Sequence, residues 1–245
     1  MNEKISFYSI HSKSDIYKRA QYYSMPIWSF ILSSILVDRF IECVPIDKIN
    51  IDEIYISTSI TQISDCDYEI IKEEKSALEI VYQNLNCFAE SCTVRVLDSF
   101  LKNLKININK RRTTEKIRES ISHDIVKNVC LKRNLLHRAI FDKKTNLVKF
   151  LLEQPNIKVN IEQVEKTVTR KMNKEQIKIF EETPLHIAVK RCQFECFIFK
   201  FDTEIIELLM KNPSIDPFIQ DSDGKTPMDL AIRSEIKDFL TKNIK

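Results

Sequence analysis

Two histidines stand in the same local frame. His137 is the fourth residue of Asn134-Leu-Leu-His-Arg-Ala139, and His186 is the fourth of Thr183-Pro-Leu-His-Ile-Ala188. An imidazole can ligate a metal or move a proton near neutral pH. Recurrence at one position of a repeated pattern is, however, what a fold constraint looks like, so a structural role is expected for both. Cys192 and Cys196 are four residues apart on a possible helix. A zinc site needs about four ligands, and no second pair lies nearby, so no metal and no cofactor are expected. His11, His123 and Trp28 have no companions in spacing that would argue for a nucleophile and its base. No catalytic residue is assigned.

The backdrop to these residues is a chain of 245 residues with a single glycine, Gly224. One glycine cannot build a Gly-rich phosphate loop, a dinucleotide fingerprint or a nucleophile elbow. Lys and Arg number 38 against 35 Asp and Glu, a formal charge of +3. That is too close to neutral for a dedicated DNA binder, which displaces counterions with a strong basic excess. Hydrophobic residues make up 43% of the chain, enough for a core. The seven cysteines are scattered without a C-x-x-C pair. The first residues lack a signal-type apolar core. A cytoplasmic, reducing compartment is the expectation. The apolar stretch near Ile27–Val37 is too short to span a bilayer.

The elements that must position these side chains come in copies. Asn134–Ala139 is followed by Asn146-Leu-Val-Lys-Phe-Leu-Leu-Glu-Gln-Pro-Asn-Ile-Lys158, and Thr183–Ala188 by Glu204-Ile-Ile-Glu-Leu-Leu-Met-Lys-Asn-Pro-Ser-Ile-Asp216. Thr226-Pro-Met-Asp-Leu-Ala231 is followed by Glu235-Ile-Lys-Asp-Phe-Leu240. Each copy reads as two short helices with one apolar stripe. Weaker copies open at Ser76-Ala-Leu-Glu-Ile-Val81 and, more degenerate, at Met25-Pro-Ile-Trp-Ser-Phe30; Ile106-Asn-Ile-Asn109 echoes Ile157-Lys-Val-Asn160. The pattern resembles ankyrin repeats, whose opening is T-P-L-H-x-A.

That resemblance implies an all-α solenoid of stacked helix pairs with inserted β-hairpin or loop segments. The expected layout is an N-terminal helical region over 1–72, in which a first repeat is degenerate, and a repeat domain over 73–245. Repeats fall near 73–109, 134–160, 183–218 and 224–242. Thr183 and Thr226 are expected as N-caps and Pro184 and Pro227 as first helical residues. His137 and His186 are expected to bridge to backbone between turns. The copies are irregularly spaced: 49 residues separate Asn134 from Thr183 and 43 separate Thr183 from Thr226, against about 33 in the family. The surplus lies near 110–130, 160–182 and 190–202. The helix-to-helix turn at Asp142-Lys-Lys-Thr145 must manage without glycine.

The surplus segments are the candidate partner sites. Lys190-Arg-Cys-Gln-Phe-Glu-Cys-Phe-Ile-Phe-Lys-Phe201 carries Arg191, Phe194, Phe197 and Phe199, the residue types of interface anchors. It could equally lengthen the preceding helix or pack its rings on the neighbouring repeat. Residues 160–180 alternate and read as a hairpin with Met172-Asn-Lys174 at its tip, presenting Arg170 and Lys171. Residues 49–71 read as a hairpin or a long loop. The resemblance implies non-catalytic protein–protein recognition, as an adaptor or scaffold, with another protein as partner and no membrane. The Ile-, Lys- and Asn-rich composition fits an AT-rich genome, so a host-directed adaptor is one version of this. Two alternatives are a repeat-targeted enzyme with a small catalytic unit in 1–72, and nucleic-acid contact through Asn109–Arg118 and the 160–180 hairpin. Nucleic acid is disfavoured by the charge balance.

Overall fold

The computed structural model describes the backbone of residues 4–8, 20–26, 55–64, 67–75, 107–120, 125–171, 174–194 and 203–244, with isolated helical positions between 82 and 101. The chain divides into two compact units. The first gathers residues 1–106, 112–131 and 166–178, and the second residues 107–111, 132–165 and 179–245.

The first unit contains most of an eight-stranded sheet: β1 (Lys4–Tyr8), β2 (Ala20–Pro26), β3 (Tyr55–Ser64), β4 (Asp67–Lys75), β5 (Arg112–Ser120), β6 (Ile125–Arg133), β7 (Gln163–Lys171) and β8 (Lys174–Glu182). The strands lie side by side in chain order, β1 and β8 at the two ends. Pairing from β1 through β5 is antiparallel. The last residues of β6 and β8 and the first of β7 belong to the second unit.

This overturns the all-α architecture. The protein is mixed α and β, because the surplus segments between repeats are strands. The pairs β5–β6 and β7–β8 end on the residues just before the openings at Asn134 and Thr183, at Arg133 and Glu182, and β4 ends at Lys75. A hairpin therefore accounts for the 49 residues between Asn134 and Thr183, whereas the 43 residues between Thr183 and Thr226 hold a first helix lengthened to Phe194. The segment 49–71, read as a hairpin or a long loop, overlaps β3–β4, and the segment 160–180, read as a hairpin, overlaps β7–β8. Met172 and Asn173, expected at a tip, lie outside the described residues.

Cross-strand pairs hold the sheet where its apolar content is thin. Arg118 lies opposite Glu69, and Glu69 accepts from both Lys116 and Arg118 at 3.0 Å. Burial pushes the Glu69 carboxyl up, and these two cations outweigh it, holding it below its ordinary value. Lys72 faces Glu115, and Asn128 of β6 donates to the same carboxylate at 2.7 Å. Such opposed pairs are the unit of sheet stabilisation.

The second unit is built on helices α1 (Leu135–Phe141), α2 (Thr145–Leu152), α3 (Pro184–Phe194), α4 (Glu204–Lys211), α5 (Pro227–Leu230) and α6 (Ser234–Asn243). The helices touch in repeat order: α1 on α2 and α3, α2 on α4, α3 on α4 and α5, and α4 on α6. Leu135, Leu136, Ala139 and Ile140 of α1 are buried, as are Leu147, Val148 and Leu151 of α2. The matching residues Leu185, Ala188, Val189, Ile206 and Leu209 are buried in the next pair, and Ile236 and Leu240 in the last. One pair cannot close over such a stripe; its neighbours do so.

Local chemistry sets the helix ends. Asn134 and Thr226 begin α1 and α5 with reciprocal capping boxes. Pro184 and Pro227 open α3 and α5, where no helical N–H is lost. Glu204 and Glu207 in the first turn of α4 offset the positive end of its dipole. Among the described residues, no helix is long and apolar enough to cross a membrane.

Candidate protein-interaction surface

The two repeat histidines are structural. Nε2–H of His186 donates to the Lys225 carbonyl at 3.0 Å. Its Nδ1 accepts from the Thr183 hydroxyl at 2.7 Å and from the Thr183 amide at 3.2 Å. His137 repeats the arrangement one copy earlier: Nε2–H donates to the Ile161 carbonyl at 2.8 Å and Nδ1 accepts from the Asn134 amide. Both rings are fully buried. Burial drives the His137 pKa down to about 3, and the nearby Arg133 and Arg111 charges push the same way. A ring committed at both nitrogens has no site left for a metal or a substrate proton. Among the described residues, no cluster of three His, Cys, Asp or Glu side chains could hold a metal ion.

Thr226 carries the cap expected of it: its hydroxyl oxygen accepts from the Asp229 amide at 3.2 Å. Asp229 stands where the other copies have histidine, and its carboxylate accepts from the Thr226 amide and hydroxyl at 2.9 and 2.7 Å. These bonds hold the Asp229 carboxyl below its ordinary value. Thr183 instead commits its hydroxyl proton to the His186 ring.

Asparagines that the sequence showed only as an echo turn out to join successive repeats. Asn109 Nδ2 donates to the Asn156 carbonyl at 2.6 Å, and its Oδ1 accepts from the Lys158 amide at 2.8 Å. Gln193, inside the aromatic insertion, plays a similar part: its Nε2 donates to the Leu230 carbonyl at 2.9 Å and its Oε1 accepts from the Ile232 amide at 2.6 Å. Its helical position gave no signal for this.

The candidate partner residues separate. Arg191 lies on α3, with its guanidinium 4.5 Å from the centre of the Phe141 ring, and Arg133 covers the same ring at 5.6 Å. Arg191 is thus part of a contact between repeats. The insertion does lengthen α3, which runs through Phe194. Phe197 and Phe199 lie outside the described residues, as does the Phe194 side chain. Arg170 and Lys171 are exposed on β7, and Arg170 pairs with Glu175 at 2.6 Å.

The basic run at Asn109–Arg118 is engaged within the protein. Arg111 donates to the Glu162 carbonyl at 3.2 Å, Arg112 is buried, and Lys116 and Arg118 share Glu69. His11, Trp28, His123 and most of residues 1–72 lie outside the described residues, and Met25 and Pro26 end β2. Among the described residues, large apolar side chains are exposed at Ile56 and Ile63 on β3, at Ile177 and Ile179 on β8, and at Phe218 and Ile232 in the turns.

Residues 136–243 match the family model for ankyrin repeats, in three copies. No curated protein and no solved structure gives a match to the chain. The matched span begins within α1 and runs through α6, taking in the Thr183 and Thr226 openings and all three second helices, so residues 136–243 of the chain are ankyrin repeats.

Proposed function

We propose that the chain is a non-catalytic protein-binding module, an adaptor or scaffold whose helix pairs form a short solenoid. Ankyrin repeats generally mediate protein–protein interaction. The observation that carries the reading is the ordered contact of three matched helix pairs, each buried along one stripe. A stack of this kind presents its outward side chains already ordered, so little entropy is lost when a partner binds. Arg170 and Lys171 on the β7–β8 hairpin, with Phe194, Phe197 and Phe199, are the proposed contacts, and buried thiols such as Cys192 suit a reducing, cytoplasmic setting.

Affinity capture with the full chain from an extract of its source cells tests this. The expected result is a protein enriched over an unrelated ankyrin array. Recovery should fall in Arg170→Glu with Lys171→Glu, or in Phe194→Ser with Phe197→Ser and Phe199→Ser, in variants that keep the native circular-dichroism spectrum. Enrichment no greater than that of the unrelated array would reject the reading.

A further inference from the structure

A hairpin precedes each of the first two matched repeats, β5–β6 and β7–β8, and the strand order ends at β8. The next opening, Thr226, is preceded only by the tight turn Asp221–Lys225, closed by the Asp221 amide on the Lys225 carbonyl at 2.8 Å and the Gly224 amide on the Asp221 carbonyl at 2.9 Å. This turn meets the end of β8, where the Ser222 amide reaches the Glu181 carbonyl at 3.3 Å and the Ser222 hydroxyl receives the Glu181 amide at 3.2 Å. Beyond that point β8 is the last strand of the sheet, with β7 as its neighbour among the described residues. Lys174, Glu175, Gln176, Ile177 and Lys178 are all exposed.

An open strand edge offers a row of amide donors and carbonyl acceptors spaced to receive one more strand. The charge around it selects the strand. On residues 166–171 and 174–178 the cations are Lys166, Arg170, Lys171, Lys174 and Lys178; the acid is Glu175, already paired with Arg170. A second copy adding through its own β8 would bring lysines against lysines, an unfavourable cross-strand arrangement. A nucleic acid lacks the alternating amides that an edge pairs with. We infer that residues Lys174–Lys178 of β8 form a docking edge for an extended acidic peptide, with acidic residues alternating with β-branched ones, which adds as a further strand and pairs its carboxylates with Lys174 and Lys178. This rests on the protein-binding reading and names the surface and the partner chemistry for it.

The probe is a labelled nine-residue peptide of alternating glutamate and valine, titrated into the full chain by fluorescence anisotropy, with hydrogen exchange read across β8. Binding should slow exchange at residues 174–178. It should weaken at least tenfold in Lys174→Glu with Lys178→Glu, and vanish when every second peptide amide is N-methylated. Three results overturn the inference: no binding, binding indifferent to N-methylation, or a dimer of the full chain whose formation by itself slows exchange at residues 174–178, which assigns the edge to a second copy. A partner captured equally well by the wild-type chain and by Lys174→Glu with Lys178→Glu would sink the docking edge while leaving the protein-binding reading intact.

Discussion

Asn109 and Asn160 do the same work one repeat apart. As Asn109 clamps Asn156 and Lys158, Asn160 gives Nδ2 to the Ser214 carbonyl at 2.8 Å and takes the Asp216 amide on Oδ1 at 3.1 Å. Each amide thus satisfies one donor and one acceptor in the turn that follows the next second helix. At a net stabilisation of about 1 kcal/mol per hydrogen bond, Asn160→Ala should destabilise the fold by about 2 kcal/mol. Asn160→Asp keeps the acceptor and loses the donor, so it should fall between. Urea denaturation of the full chain measures both, and an alanine variant as stable as wild type would mean the clamp is ornamental.

Asn134 is a flawed copy of Thr183. A threonine hydroxyl can give its proton to histidine Nδ1, as at His186. Asn134 presents Oδ1, an acceptor, toward His137 Nδ1 while also receiving the His137 amide at 3.1 Å. Since Nε2 must carry the proton for Ile161, Nδ1 has a lone pair facing a lone pair. The Asn134 Nδ2 group is meanwhile buried without a hydrogen-bond partner among the described residues. Asn134→Thr should therefore stabilise by about 1 kcal/mol, and Thr183→Asn should destabilise by a similar amount. Thermal unfolding of the two variants should move in opposite directions; a drop in Tm for Asn134→Thr would show that the Asn134 cap is better than this geometry implies.

The helix pairs were legible because their signal is dense. Thr183-Pro-Leu-His-Ile-Ala188 compresses a helix start, a buried stripe and a bridging histidine into six residues, and Leu147, Val148 and Leu151 mark the buried side of α2 without ambiguity. The strands were less legible, for a physical reason. Arg112-Thr-Thr-Glu-Lys-Ile-Arg-Glu-Ser120 forms β5 with its middle half-buried and its stability drawn from pairs such as Glu69 with Arg118. A strand held by cross-strand charges shows no two-residue alternation of apolar and polar residues, so periodicity is silent there. β8 was readable at Ile177-Lys-Ile179 because it does alternate. The partner of an inter-repeat asparagine is invisible for another reason: the Asn109 clamp joins residues 47 and 49 positions apart, and one sequence carries no trace of such contacts.

His137 gives the fold a defined acid sensitivity. Its pKa in the native state is about 3, below the ordinary 6.5. Below pH 6.5 the unfolded chain takes up a proton on this ring and the native state does not. The contribution is therefore complete above pH 6.5 and is lost as the pH falls from 6.5 toward 3, at a slope of up to about 1.4 kcal/mol per pH unit. His137→Gln removes the titration. The expected outcome is a wild-type stability that drops more steeply than the variant's between pH 6.5 and 4 in paired urea melts. Parallel curves would mean that the ring is protonated or solvated in the native state.

The turn between α1 and α2 closes with the Lys144 amide on the Ala139 carbonyl at 2.9 Å and the Lys143 amide on the Ile140 carbonyl at 3.1 Å. This bond pattern ends a helix by placing one residue in the left-handed region. Asp142 tolerates such a conformation better than lysine does, yet Lys143 adopts it, at φ +56°, while Asp142 stays at −87°. A lysine Cβ there crowds the following carbonyl, at roughly 1 kcal/mol. Lys143→Gly should relieve that, offset in part by the greater freedom glycine gives the unfolded chain, for a net gain of about 0.5 kcal/mol. Gly224 supplies the mirror test. It sits at φ +73° with nothing within 4 Å of where a Cβ would lie, so Gly224→Ala should be destabilising by about 1 kcal/mol from backbone conformation alone. Opposite signs in the two chemical melts are the expected result. A stabilising Gly224→Ala would mean that the turn relaxes to negative φ without loss of its Asp221 bonds.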